Sequence, residues 1–268
     1  MKLFYRHFGE GQPIIILHGI FGVSDNWVTL GRKLAEEFSV YILDLRNHGQ
    51  SPHSDTFNYV AMMDDIEEFI EDHKLENPVL IGHSMGGKVA MYYALDNPEK
   101  VHSLIVVDIS MRQYPRRGGH IGMIEAMMNV DFSKVGKRED VDEQLKESIP
   151  SKPIRLFVMK NLEREGQQTF KWRINLKALS ENIEHVFEGV EHPGIYDNPT
   201  LFIRGGNSDY ISDEDMDKIY RHFPGATLET IEGASHWVHA EKPDELCALF
   251  SEFTGKACEF VAKRKKKS

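Results

Sequence analysis

Ser84 stands in Gly82-His83-Ser84-Met85-Gly86, with a glycine two residues away on each side of its hydroxyl. What flanks this pentapeptide says more than the match itself. Pro78-Val79-Leu80-Ile81 before it is an apolar run of strand length, and Gly87 to Leu95 after it carries apolar residues at helical spacing, with Pro98 beyond. A serine at such a strand-to-helix turn has its hydroxyl exposed at the carboxyl edge of a sheet, where the helix N-terminus favours negative charge. The turn is too tight for large neighbours, hence the glycines. Serine alone is a weak nucleophile; it needs a base within hydrogen-bond reach and an acid that orients the base.

Of the thirteen histidines, His236 is best placed to be that base. It follows the strand pattern of 227–231 after the loop Glu232-Gly233-Ala234-Ser235 and precedes the final helix. His239 is the rival, read as a supporting or surface residue from its place along the loop. Two aspartates compete for the acid. Asp108 ends the run Leu104-Ile105-Val106-Val107, and Asp209 follows Arg204-Gly205-Gly206-Asn207-Ser208 after the strand of 200–203. Either could reach His236, and the other would then cap or close a turn. An oxyanion needs two N–H donors. The backbone of Met85 is one, and the loop His18-Gly19-Ile20-Phe21-Gly22 would supply the other from Ile20, with Phe21 as a pocket wall and the His18 ring tying down the loop. His83, Met123 and Met127 are candidates for lining the substrate pocket. No spacing typical of metal ligands stands out, and no cofactor is expected.

These residues need a sheet whose strand ends converge. The continuous apolar runs Pro13–Leu17, Val40–Leu43, Val79–Ile81, Leu104–Val107 and Thr200–Ile203 suit strands buried on both faces. Helical patterns over 26–38, 59–73 and 212–223 lie between them, which predicts a parallel sheet with helices on both sides. From Met111 to His192 no convincing buried strand appears. Helical patterns at 120–130, 139–148, 153–163 and 175–188 suggest a helical cap inserted into a core of 1–110 and 193–262. Met123, Met127 and Met128 either line an adaptable pocket or pack the cap onto the sheet.

The chain of 268 residues is long enough for one large core. Its net charge of −10 hides an asymmetry. Residues 263–268 form a basic tail, read as a solvated helix end; with its five cations set aside, 27 basic residues face 42 acidic ones. An acidic body argues against nucleic-acid binding. No apolar run approaches a membrane span, and the first residues lack a signal core, so a cytoplasmic protein without stable membrane association is expected. Cys247 and Cys258, eleven positions apart on one helix and so separated by about 16 Å, should stay unpaired.

Together these motifs resemble the α/β-hydrolase fold superfamily over almost the whole chain. Within it, the loop 18–22, Asp44-Leu45-Arg46-Asn47-His48-Gly49-Gln50-Ser51, the Ser84 turn and Gly233-Ala234-Ser235-His236-Trp237-Val238-His239-Ala240 are similar to YbfF-like bacterial esterases and their abhydrolase-domain 11 relatives. The resemblance implies Asp108 as the acid, because the position matching Asp209 need not be acidic in those relatives. It further implies a serine carboxylesterase acting on short-chain acyl esters or thioesters as small-molecule partners. Carbon–carbon bond hydrolysis, lactone opening, perhydrolysis and a non-catalytic ligand-binding role are the competing readings on the same scaffold.

Overall fold

A computed structural model describes residues 1–116, 118–166 and 169–265; apart from the helix backbone up to 265, the expected basic tail lies outside the described residues. Along the chain come β1 (Tyr5–Phe8), β2 (Pro13–Leu17), α1 (Val28–Leu34), β3 (Ser39–Leu43), α2 (Tyr59–Asp72), β4 (Val79–His83), α3 (Met85–Asp96) and β5 (Ser103–Val107). There follow α4 (Gly118–Met128), α5 (Arg138–Leu145), α6 (Lys152–Val158), β6 (Leu162–Glu165), β7 (Thr169–Trp172) and α7 (Leu176–Phe187). The chain then returns through β8 (Thr200–Gly205), α8 (Asp215–His222), β9 (Ala226–Ile231), α9 (Val238–Glu241) and α10 (Pro243–Lys265).

Seven strands form one sheet in the order β1-β3-β2-β4-β5-β8-β9, parallel except for β1. Alternate residues of each buried strand feed opposite cores. Ile14 and Ile16 pack with Trp27, Leu30, Leu34, Leu246 and Phe250, whereas Ile15 and Leu17 pack with Met62, Ile66, Phe69 and Val89. Helices therefore cover both faces, as the unbroken apolar runs require. The chain winds from β2 to β3 in one direction and continues to β4 on the other side. The crevice between the ends of β2 and β4 is thus the point where strand order reverses, the usual ligand position in open parallel sheets.

The turn after β4 explains its glycines. A Cβ on Gly82 would lie 2.3 Å from the Gly86 carbonyl oxygen, and one on Gly86 would lie 2.4 Å from that of Leu17. Ser84 itself sits at φ 53°, a left-handed conformation held in place by the hydrogen bond of its N–H to the Val107 carbonyl at 3.1 Å. The loop after β3 is equally constrained. Asp44 accepts the N–H groups of Ser24 and Gln50, and Arg46 forms a two-pronged ion pair with Asp65 on α2 at 2.6 and 2.8 Å.

Several elements differ from the sequence expectations. β1, with its charged and aromatic residues, is an antiparallel edge strand paired with β3. The helix expected over 153–163 stops at Val158, passes through a single 3-10 turn at Met159–Asn161 and enters β6. The β6–β7 hairpin escapes apolar patterning because its outer positions are charged, with Glu163 opposite Lys171. α8 starts at Asp215 rather than Ser212, because the Asp215 carboxylate accepts the Ser212 N–H and holds the preceding residues in a turn.

Asp65 is 1% exposed, so its removal leaves the Arg46 guanidinium buried without its partner. Asp65→Ala should lower unfolding free energy by about 3 kcal/mol, read from urea titrations. A change within experimental error would show that the pair does not brace this loop.

Candidate active site

Ser84 Oγ lies 3.1 Å from His236 Nε2, and His236 Nδ1 donates to Asp108 Oδ2 at 2.7 Å. Three different loops at the carboxyl edge bring these groups together: the ends of β4 and β5 and the segment between β9 and α9. Asp108 is fully buried, at φ 51°, immediately after β5. Its carboxylate also accepts the Gly205 N–H at 2.9 Å and the Ser208 hydroxyl. Asp209, the rival acid, is exposed on the same turn, where Arg112 donates to its backbone carbonyl. Spacing alone could not separate the two aspartates; the hydrogen bond to His236 Nδ1 belongs to Asp108.

The His236 ring is held flat. Tyr210 stacks on it at 3.8 Å between centroids and 15° between planes, and His83 donates to the His236 carbonyl at 2.9 Å. With Nδ1 donating to Asp108, Nε2 is left as an acceptor for the serine proton. Such an arrangement can deprotonate a hydroxyl as it attacks a carbonyl.

The loop expected to donate to an oxyanion packs against the serine. A Cβ on Gly19 would come within 3.1 Å of the Ser84 Cβ, which puts the 18–22 loop directly against the serine. Among the described residues, neither the Ile20 nor the Met85 N–H is engaged in the loop and cap hydrogen bonds. The Phe21 N–H is engaged: it donates to His48 Nε2 at 3.2 Å, holding Phe21 at φ 62°. His48 Nδ1 in turn donates to the Arg46 carbonyl. His18 braces the loop as expected, with Nδ1 donating to Gly19 O and Nε2 accepting the Leu45 N–H. Burial lowers the pKa of His18 to about 4 and that of His48 to about 3, so both stay neutral and keep these one-donor, one-acceptor roles. Burial also drives His83 well below the ordinary value.

Two small chambers flank Ser84, each of about 20 Å³, room for roughly one water molecule. The first is walled by Phe21, His83, Met123, Phe157, His236 and Trp237. The second lies under Tyr59, Tyr114, Phe187 and Tyr210. His120 of α4 and Ile20 line both. Phe21, His83 and Met123 thus stand where a pocket wall was expected. Met127 does not: it is wholly buried in the large core and lines neither chamber, because its side of α4 faces inward. His239 is not a surface residue either. It is 7% exposed, stacked on Trp27 at 4.5 Å, with burial lowering its pKa to about 3.

Ser208, Tyr210, His48 and Lys88 carried no expected role. Ser208 had a visible signal, a hydroxyl in the Gly-Gly-Asn-Ser turn at a strand end. Lys88 had another, a lone cation in an otherwise apolar helix one turn beyond Ser84. Lys88 is fully buried, donates to the Glu188 carbonyl and lies 4.8 Å from the Tyr114 ring centroid. It therefore ties α3 to the segment after α7. Burial lowers its pKa from 10.5 to about 7.

That shift has a sign. From about pH 7 to pH 10.5 the unfolded chain binds the Lys88 proton and the folded chain releases it, so this group makes stability rise with pH across that window. The unfolding free energy of the native protein, relative to Lys88→Met, should increase between pH 7 and 9.5 in urea titrations. Parallel curves for the two proteins would contradict the assignment.

A family model described as alpha/beta hydrolase fold matches residues 12–144. The protein named sn-1-specific diacylglycerol lipase ABHD11 from Xenopus laevis is 40% identical over 257 residues, covering 94% of this chain and 80% of that protein. Esterase YbfF from Escherichia coli (strain K12) is 34% identical over 235 residues, covering 88% and 90%. Among solved structures, a marine microorganism esterase is similar with a TM-score of 0.91 at 40% identity, covering 94% of this chain and 99% of that one.

Proposed function

The chain belongs to the α/β-hydrolase fold family, and from that premise we propose that it is a serine carboxylesterase working through an acyl-enzyme. The observation that carries this reading is the hydrogen-bonded line from Ser84 Oγ through His236 to the buried Asp108. Ser84 attacks the ester carbonyl while His236 Nε2 takes its proton. The Ile20 and Met85 N–H groups hold the oxyanion, and His236 then protonates the departing alcohol. Water, deprotonated by the same imidazole, releases the acid and restores Ser84.

Asp108 orients the imidazole and stabilises its cation; Ser208 and the Gly205 N–H hold Asp108 in place. Residues 111–192 act as the cap, supplying His120, Met123, Phe157 and Phe187 to the chamber walls. Similar proteins carry both lipase and esterase names. Chambers of about 20 Å³ on either side of Ser84 favour a short acyl group, as an ester or as the thioester of the same acid. Among the described residues no helix is long and apolar enough to cross a membrane.

A p-nitrophenyl ester series from acetate to laurate tests the reading, with hydrolysis expected to be fastest for the shortest acyl groups. Asp108→Asn should lower kcat by about 10³- to 10⁴-fold, because it favours the wrong imidazole tautomer, while Asp209→Asn should lower it less than about tenfold. Absence of hydrolysis at every chain length would overturn the proposal, and the reverse ranking of the two aspartates would overturn the assignment of the acid.

A further inference from the structure

Both chambers beside Ser84 are too small for an ester, but one of them adjoins a much larger space. An open groove of about 410 Å³ runs between α1 and α6, and Asn26, Phe157 and His239 line the groove as well as the first chamber. The groove is of the size that holds a small ligand, on the order of a few hundred Å³, which the chambers are not. Phe157 is the partition. Its ring is half-buried and packs against Trp237 at 4.3 Å between centroids, with the chamber on one side and the groove on the other.

The position of His236 decides which end of the ester lies there. The departing alcohol must receive its proton from His236, so it leaves on the side that His236 lines. His236 walls the first chamber and not the second. The alcohol therefore points toward the groove, and the acyl group toward Tyr59, Tyr114 and Phe187.

The lining of the groove describes what fits it. Leu30, Pro153, Leu156 and Pro243 are apolar, and Leu156 is 51% exposed. Among the described residues no carboxylate lines the groove, in a chain with ten more acidic than basic residues. Its one cation is the exposed Lys160, which among the described residues is in no ion pair; His239, buried and neutral, contributes no charge.

We propose that the groove between α1 and α6 is the subsite for the alcohol portion of the ester, that it takes an alcohol with an apolar body and an anionic end paired with Lys160, and that Phe157 is the door between groove and Ser84. This rests on the ester-hydrolase reading above and adds the class of alcohol. The anionic end sits at the rim, where a carboxylate or phosphate stays hydrated while the apolar body covers Leu156.

Acetate esters that share the acyl group and differ only in the alcohol test it: phenyl acetate and its para-carboxylate analogue, 4-acetoxybenzoate. For each enzyme form the quantity read is the ratio of kcat/KM for the anionic ester to that for the neutral one. Lys160→Glu should lower that ratio by about fivefold or more relative to the native protein, with Lys160→Gln between them, and the native ratio should fall with added salt. Phe157→Ala should raise kcat/KM for phenyl acetate more than for methyl acetate. A ratio unmoved by charge reversal at 160, or insensitive to salt, overturns the subsite. Absence of hydrolysis of both phenyl esters by the native protein overturns the ester-hydrolase reading instead, so the two failures are distinguishable.

Discussion

A wholly buried carboxylate sits at the centre of this structure. Burying a charge without partners is prohibitively unfavourable, so the fold must bring donors to Asp108. It does so from three separate places: the Gly205 N–H at the end of β8, the Ser208 hydroxyl on the following turn and the His236 imidazole from the loop after β9. Satisfying Asp108 therefore fixes the mutual position of β5, β8 and the His236 loop. Ser84 is added from β4, whose backbone at the turn is bonded to β5. The site and the register of the sheet are one constraint seen from two sides.

Around that centre, burial sorts the histidines by role. His18, His48, His83 and His239 are all enclosed, and desolvation holds each below its ordinary pKa. A neutral imidazole with a fixed tautomer is a rigid spacer carrying one donor and one acceptor. His18 and His48 use that property to shape the 18–22 loop, and His83 uses it to hold the backbone of His236. His236 is 16% exposed and borders the chamber beside Ser84, so its ring is reachable from that chamber where the other four are enclosed. The 18–22 loop is tied to the 3-10 turn after α6, since Asn161 donates to the Phe21 carbonyl at 2.8 Å.

Much of this was legible in the residues. The parallel sheet followed from strands apolar on both faces, and Ser84 and His236 followed from their places after strands. The acid was not legible from spacing, since Asp108 and Asp209 both stand at strand ends; only the resemblance favoured Asp108, and the difference between them is burial, which a linear pattern does not carry. Met127 shows the same limit. An apolar residue at helical spacing reads alike whether it faces a cavity or the core. The β6–β7 hairpin lacked an apolar stripe, and the groove lined by α1 and α6 joins segments more than a hundred residues apart in the chain.

The line from Ser84 through His236 to Asp108 should make Ser84 alone a reactive nucleophile among the hydroxyls of the chain. Intact-mass and peptide mass spectrometry after brief exposure to a small fluorophosphonate measures that directly. A single adduct on the peptide containing Ser84, absent in His236→Ala, is the predicted result. No adduct, an adduct on another residue, or undiminished labelling without His236 would contradict activation of Ser84 by His236.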